Sequence, residues 1–380
     1  MQRAESWSDT HTGRVVHLVG RVTDKVIGFL APAVDALADS GVEQVVVLVD
    51  DLRYRNVLPR FHESVQLVLT PVSSNPLRRF KWALEAFREV LRSGPTRAVQ
   101  LHGFIPCMMG IWVARTSGVS APMHYSPTGS ESLGPRVGLG RLLRWTVSPT
   151  RRRRARPAPV APHADRRGTG ARAGSVASPI EQAFFDVQRH EARRPLIVAG
   201  SRINDPRCTE LLAQLAVLLS GEALGLSFNW IGSVDQGSRV RLKAAGVGVY
   251  EDHEVADRVS RLSPGWIYLA PGGTDDFPMH MVEAMAVGLP CVALDTPYHR
   301  GVITHGETGF LCRDEHAIVQ CIAELIDSPL LRRRIGQAAR EEARERFSAL
   351  KFRDALFAAY ELPIKTLTGI DGSAKDRDAP

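Results

Sequence analysis

Apolar positions in the first third of the chain alternate between short continuous runs and longer stretches with helical spacing. Arg14–Val19 (RVVHLV) has the length and continuity of a buried strand. Residues 24–40 repeat apolar positions every three to four residues, and 43–49 (EQVVVLV) is a second strand. The rhythm continues with a strand at 65–69, a helix at 76–92, a strand at 98–101, a helix at 106–117 and a short strand at 123–126. Strands that alternate with helices predict a parallel sheet covered on both faces.

A second series begins at 195–199 (PLIVA) and runs through a helix at 208–219, a strand at 226–231, a helix at 238–245 and a strand at 247–250. A strand at 266–270 (WIYLA), a helix at 278–287 stopped by Gly288, and a strand at 290–294 follow. The pattern therefore predicts two Rossmann-like α/β halves with a cleft between them, and 380 residues is ample for two cores. The expected divisions are 1–150, a linker at 151–193, 194–347, a C-terminal amphipathic helix within 348–365, and a polar, disordered tail at 366–380.

Between the halves the composition changes. Arg136, Arg141, Arg144, Arg151, Arg152, Arg153, Arg154, Arg156, Arg166, Arg167 and Arg172 face one acid, Asp165, and residues 151–175 lack apolar periodicity. Two readings stand: a solvated basic linker, or a surface for anionic headgroups in which Leu142, Leu143 and Trp145 rest among arginines. The whole chain carries 48 Lys and Arg against 41 Asp and Glu, a net charge of +7, which suits nucleotide sugars, anionic lipid or nucleic acid equally. Five cysteines without a C-x-x-C pair argue against a disulfide framework and a zinc site, and fit a reducing cytosol. Residues 1–13 lack the apolar core of a secretory signal, so export is not expected. No run reaches the roughly 20 apolar residues of a membrane span.

The chemistry concentrates in 271–290, PGGTDDFPMHMVEAMAVGLP, which reads as strand end, glycine turn and helix start. In open α/β sheets, ligands bind beyond the carboxyl ends of strands, and free N–H groups at a helix start attract a diphosphate. Pro278 suits the first helical position, with Asp275 or Asp276 as cap. Glu283 then lies about one and a half turns in, roughly 8 Å along the axis. On spacing alone, an N-cap and a surface Glu explain the two acids equally well.

Residues 275–290 resemble the E-x7-E signature of family-4 retaining glycosyltransferases, E-G-F-P-x-x-x-x-E-A-M-A-x-G-x-P. Phe277, Pro278, Ala284, Met285, Ala286, Gly288 and Pro290 match in place. The second acid is Glu283; the first is Asp275 where the family has Glu. Upstream, Gly200 to Arg207 resembles the family's G-R-x-x-x-x-K, with Arg202 and Arg207 at the same spacing. His305 to Leu311 is similar to its D-G-x-T-G-x-L turn, whereas Pro297 to Gly301 departs from its G-G-x-x-E. In the first half, His102-Gly103 looks like the end of V-x-x-H-G, and Tyr125 to Gly129 like Y-x-P-H-G with Thr128 in place of His. The first loop has Gly20-Arg21 where Gly-Gly is common.

The resemblance implies a GT-B fold, two Rossmann-like domains whose parallel sheets face an interdomain cleft. It implies that Glu283 binds the donor ribose and that Asp275 contacts the transferred sugar. Arg202, Arg207, Gly272 and Gly273 would hold the donor diphosphate, and His102 would join Asp275 and Glu283 as a catalytic group. It implies a retained, α-linked product from a UDP- or GDP-linked sugar, and a glycan or polyprenyl-linked acceptor. A bacterial cell-surface polysaccharide, lipopolysaccharide or exopolysaccharide, is the expected setting, in the cytoplasm or on the inner face of the plasma membrane. No cofactor or nucleic acid is expected, and no metal, because no Asp-x-Asp precedes a short strand and no His/Asp cluster has metal spacing; leaving-group charge would fall on Arg202, Arg207 and the helix N-terminus near Gly273. A sugar-nucleotide epimerase on the same scaffold, or a catalytically dead nucleotide-binding scaffold protein, are the alternatives; a nicotinamide-dependent dehydrogenase is disfavoured because no G-x-G-x-x-G follows a strand.

Overall fold

The computed structural model describes residues 13–20, 22, 24–49, 61–71, 73–126, 158–159, 178–201, 206–220, 225–251, 254–272 and 277–362. They form two α/β domains, each built on a six-stranded, wholly parallel sheet. The first runs β1 (Arg14–Val19), α1 (Asp24–Ala38), β2 (Gln44–Leu48), β3 (Val65–Leu69), α2 (Pro76–Arg92), β4 (Thr96–His102), α3 (Phe104–Thr116), β5 (Met123–Ser126) and β6 (Ala158–Pro159). The strand order is β3-β2-β1-β4-β5-β6. In register, His17 lies between Val46 and Gln100, and Val19 between Leu48 and His102.

Side chains alternate across this sheet, so each strand feeds two cores. Val16, Leu18, Val45, Val47, Val99 and Leu101 pack on α2 and α3. The opposite side, Val15, Val19, Val46, Leu48 and Ala98, packs under α1. Helix α2 begins where the sequence predicts, because Asn75 accepts hydrogen bonds from the amides of Leu77 and Arg78 and Pro76 opens the helix.

The second domain contains α4 (Gln182–Asp186), β7 (Leu196–Gly200), α5 (Pro206–Ser220), β8 (Ser227–Ile231), α6 (Gln236–Ala244), β9 (Gly248–Tyr250), α7 (Val255–Leu262), β10 (Ile267–Ala270), α8 (Met279–Val287), β11 (Cys291–Leu294), α9 (Pro297–Arg300), β12 (Phe310–Cys312), α10 (Glu315–Asp327) and α11 (Pro329–Phe347). Its strand order is β12-β11-β10-β7-β8-β9. Residues 178–193, read from composition as the end of a linker, instead belong to this domain. Ile180, Phe184 and Phe185 are buried in its core, and the Ile180 amide donates to the Phe347 carbonyl at 2.7 Å. Glu191 receives Arg189 and the buried Arg332, and Arg332 stacks on Trp266 at 3.9 Å. Of the expected linker, Ala158–Pro159 instead adds β6 to the first sheet; the arginines from Arg136 to Arg172 lie outside the described residues.

The last helix, α12 (Ala349–Ala359), leaves the second domain and returns to the first. Ser348 ends α11 and caps α12, so the chain turns without a long loop. Phe352, Leu356, Phe357 and Tyr360 then pack against Phe29, Ala33 and Leu37 of α1. The buried Tyr360 hydroxyl donates to Gln100 Oε1 at 3.0 Å, and Gln100 Nε2 donates to Ser126 Oγ at 2.7 Å. Thus α1 and α12, more than three hundred residues apart, share one core.

Removing the Leu356 side chain by Leu356→Ala is expected to destabilise the first domain by about 2–5 kcal/mol, the range for a large buried side chain. Tyr360→Phe, which leaves the buried Gln100 oxygen unpaired, is expected to cost about 1–3 kcal/mol. Urea unfolding followed by tryptophan fluorescence measures both, and an unshifted transition for Leu356→Ala would contradict the docking of α12.

Candidate functional site

In the second domain the chain winds outward from β7 to β9, then returns to the centre at β10 and winds the other way. The reversal makes β7 and β10 neighbours, joined in register from Ile197 opposite Ile267 to Ala199 opposite Leu269. A crevice forms beyond the carboxyl ends of strands at such a reversal, because the following loops diverge to opposite faces. The segments that leave these two strands are Gly200 to Arg207 and Pro271 to Pro278. Those are the stretches that the sequence singles out.

Both turns are closely packed, and glycine is what permits it. A Cβ on Gly200 would lie 2.4 Å from the Ile231 carbonyl oxygen and 3.2 Å from His280 Nδ1; one on Gly272 would lie 2.1 Å from Cys208 Sγ. The fully buried Tyr268 hydroxyl donates to the Gly200 carbonyl at 2.9 Å and fixes the end of β7, and burial raises its pKa well above the phenol range. The starts of α5 and α8 are therefore held against the strand ends, Cys208 of α5 meeting Gly272 and His280 of α8 meeting Gly200. Arg207 sits exposed in the first turn of α5. Arg202, Gly273 and Asp275 lie outside the described residues.

Glu283 occupies the middle of α8 and is 4% exposed. Both its oxygens accept from Arg258 of α7, Nε to Oε2 at 3.1 Å and Nη2 to Oε1 at 3.2 Å. Arg258 is itself buried and lies over the Phe184 ring of α4 at 5.5 Å. Nothing in the sequence spacing pointed to Arg258. It stands 25 residues from its partner, in a helix that the apolar pattern did not reveal, and only the fold brings the two together. The start of α8 also corrects an expectation: Pro278 is the cap residue, with no side-chain cap bond, and Met279 is the first helical residue. Proline has no N–H to satisfy there, and its carbonyl accepts from Met281 and Val282 at 3.1 Å each.

Beside β10, the end of β11 carries the turn that departs from the family pattern. Asp295 grips Arg300 through two bonds of 2.5 and 2.8 Å, and Thr296 caps α9. His299 is buried against the Leu294 carbonyl at 2.6 Å, and burial lowers its pKa. The following turn closes with the Thr304 amide on Thr308 Oγ1 at 2.9 Å and the Leu311 amide on His305 Nδ1 at 3.0 Å.

The first domain repeats the topological reversal between β1 and β4, where Gly20 and His102 stand. The structure does not open His102 to solvent: it is 1% exposed, its ring 5.8 Å from that of His17 and 6.1 Å from Phe29. His124 lies in the same layer, 4.9 Å from the Tyr360 ring. Burial pushes the pKa of His17 and of His124 down to about 4 and that of His102 well below the usual range, and a proton on His17 would disfavour one on His102 further. All three are therefore neutral near pH 7. Glu283 and His102 stand in separate domains. Among the described residues no group of three His, Cys, Asp or Glu is placed to hold a metal ion, and no helix is long and apolar enough to cross a membrane.

Residues 236–342 match the family "Glycosyl transferases group 1", so the second domain carries a region of that family. Over 79 residues the chain is 34% identical to N-acetyl-alpha-D-glucosaminyl L-malate synthase of Bacillus anthracis, covering 20% of this chain and 21% of that protein. Over 120 residues it is 30% identical to the phosphatidyl-myo-inositol mannosyltransferase of Mycobacterium leprae, covering 29% and 32%. The chain thus matches less than a third of the length of these curated relatives. The crystal structure of Anabaena HepE in complex with UDP superposes with a TM-score of 0.68 over 92% of this chain and all of that one, at 14% identity. The fold is GT-B-like, two parallel-sheet α/β domains.

Breaking the buried ion pair is expected to be costly. Arg258→Met or Glu283→Gln leaves one buried partner without its counter-charge and should destabilise the second domain by about 3–5 kcal/mol, measured as a lower urea midpoint. An unchanged midpoint would show that the pair is not formed in solution.

The histidine layer predicts a pH dependence with a definite sign. His17 and His124 titrate near 6.5 when unfolded and near 4 when folded, so the unfolded chain binds more protons between those values. Their contribution, on the order of 3 kcal/mol each, is whole above about pH 6.5 and is lost as the pH falls through about 4. Urea midpoints at a series of pH values should fall on acidification. The fall should be shallower in His124→Phe; equal slopes would contradict the buried neutral state.

Proposed function

We propose that this chain is a metal-independent glycosyltransferase that takes a sugar from a UDP- or GDP-linked donor and forms an α-linkage, with retention, on a glycan or polyprenyl-linked acceptor. The observation that carries the reading is the β7–β10 reversal. Two glycine-edged strand ends and two helix N-termini converge there, on the segments whose residues resemble a diphosphate clamp, and the group 1 region encloses one of them. Other shared features support it less directly, since likeness at 14% identity speaks for the fold alone.

In this reading Arg207, Arg202 and the amides near Gly272 and Gly273 bind the diphosphate. Arginine's planar fork suits phosphate, and its charge is present throughout the pH range of interest. Glu283 accepts from the ribose hydroxyls on the lone pairs that Arg258 leaves available, and Asp275 contacts the transferred sugar. Arg258 is a positioning residue: a lone carboxylate on α8 would rotate, whereas a forked partner fixes both oxygens. The acceptor hydroxyl oxygen bonds to the anomeric carbon on the face from which the diphosphate departs. The carbon–oxygen bond to phosphate breaks, its electron pair stays on the diphosphate, and the hydroxyl proton passes to a phosphate oxygen. Preorganised positive charge lowers that barrier without a metal. His102, neutral and enclosed, shapes the end of β4 on the acceptor side and enters the reaction only if that side opens.

Residues 1–150 would then be the acceptor side and 194–347 the donor side. The setting is bacterial cell-surface polysaccharide synthesis in the cytoplasm, with arginines 136–156 resting on the anionic inner face of the membrane. Binding to anionic vesicles that falls as salt rises would support that placement.

Calorimetric titration with UDP, GDP and their sugars tests the reading. Binding of one base series is expected, and Arg207→Ala should weaken it by about 1.5–3 kcal/mol, the value of a charge-assisted bond, with a smaller loss of folding stability because the side chain is exposed. No affinity for any nucleotide diphosphate would overturn the proposal. Release of free sugar without an acceptor would favour an epimerase.

A further inference from the structure

Strand β12 ends at Cys312, and α10 begins three residues later, with Asp314 accepting from the Ala317 amide at 2.8 Å. The tight connection folds the helix back over the strand end. Cys321, somewhat under two turns into α10, therefore faces the strand, and its Sγ accepts a hydrogen bond from the Cys312 thiol at 3.6 Å. Cys312 is buried, whereas Cys321 is partly open to solvent. The other described cysteines are unlike this pair: Cys208 and Cys291 are buried on different elements, and Cys291 directs its thiol to the Leu289 and Met281 carbonyls.

We propose that Cys312 and Cys321 are a reversible redox couple, a modification site at which a peroxide converts the two facing thiols into a disulfide. The hydrogen bond from Cys312 lowers the pKa of Cys321 and raises that of Cys312, so the accessible sulfur is the one that ionises. The Cys321 thiolate attacks one peroxide oxygen, the O–O bond breaks, and the departing hydroxide takes a proton to become water, leaving a sulfenic acid. Cys312 then attacks that sulfur, the S–O bond breaks, and the oxygen leaves as a second water carrying the Cys312 proton. Two thiols and one hydrogen peroxide give one disulfide and two waters. The sulfurs must approach from 3.6 Å to about 2.05 Å, a movement of roughly 1.5 Å that side-chain rotation and a small shift of α10 can share.

The movement has a receiver. The Cys312 carbonyl accepts from the Asp295 amide at 2.7 Å, and Asp295 in turn grips Arg300 of α9. Closing the disulfide draws the end of β12 toward α10 and away from the turn at 295–300. That turn borders the donor crevice if the functional proposal holds, but the coupling itself does not depend on that proposal.

The full chain treated with hydrogen peroxide, blocked with iodoacetamide and digested with trypsin tests the couple. Cleavage after Arg300, Arg313 and Arg332 places the two cysteines on separate peptides, 301–313 and 314–332. Their linked mass should appear, vanish with dithiothreitol, and be absent in Cys321→Ser and in Cys321→Ala. Amide hydrogen exchange at 295–301 should change at least twofold on oxidation of the native chain and not in either variant. A Cys321 sulfinic acid beside a Cys312 that still alkylates would overturn the couple, and a linked peptide with unchanged exchange would overturn its coupling to the turn. Because neither readout uses nucleotide or turnover, failure of the donor assignment leaves the test intact.

Discussion

The forked contact between Arg258 and Glu283 is the constraint around which the second domain is arranged. Two charges 4% and 6% exposed are tolerable only when each satisfies the other, so the helices that carry them cannot move independently. Helix α8 is buried along its whole length, from His280 to Val287, and carries one charged residue. Helix α7 contributes the counter-charge, and Phe184 on α4 closes over the guanidinium. A segment that precedes the first strand of the domain thereby becomes part of the support for a carboxylate a hundred residues later. The same economy recurs at Arg332, which ties Glu191 and Trp266 to the carbonyls of Leu325 and Ile326. Buried arginines, each with several acceptors, take the place that aliphatic side chains hold elsewhere.

The position of the crevice follows from the topology of the sheet that this pair braces. Parallel strands place all their carboxyl ends on one edge, and the winding direction changes between the neighbours β7 and β10, the place where open α/β sheets form a crevice. Close packing at Gly200 and Gly272 brings the first turns of α5 and α8 to that edge. The edge at which a ligand would meet the second sheet is thus set by topology before any side chain is considered. The first domain obeys the same rule at β1 and β4, yet its reversal point is lined by His17 and His102, neutral rings enclosed beneath α1 and α12.

Much of this was legible in the sequence, and what was not has identifiable causes. Arg14–Val19, Val65–Leu69, Pro76–Arg92 and Met123–Ser126 were read to the residue because apolar continuity, or an Asn-Pro start, marks them unmistakably. Helices α10 and α11 were not expected. In α11 the inward stripe is Ile335, Gly336, Ala339 and Ala343 amid arginines and glutamates, so small residues replace the large apolar ones that a periodicity search detects. Helix α7 was hidden in the same way, since its buried positions include Arg258. The glycine turns and Glu283 were found through motif resemblance, but the partner of Glu283 was beyond reach, because nothing local relates positions 258 and 283. Composition misled at 178–193, where a polar, arginine-rich neighbourhood conceals Ile180, Phe184 and Phe185.

The path of the last helix ties these observations to motion. Helix α12 lies on the first domain although α11, from which it springs, is packed against α8 in the second. The junction between them is Ser348, which ends one helix and caps the next. Along this connection, a change in the relative placement of the sheets would turn at Ser348 or break the Tyr360–Gln100 contact. The buried hydrogen bond is the costlier of the two to break, since an unpaired polar group in the core has no water to turn to. Rotation at Ser348, with α12 kept in place on the first domain, is the less expensive movement. It would leave the histidine layer undisturbed while the β7–β10 edge changes its distance from β4.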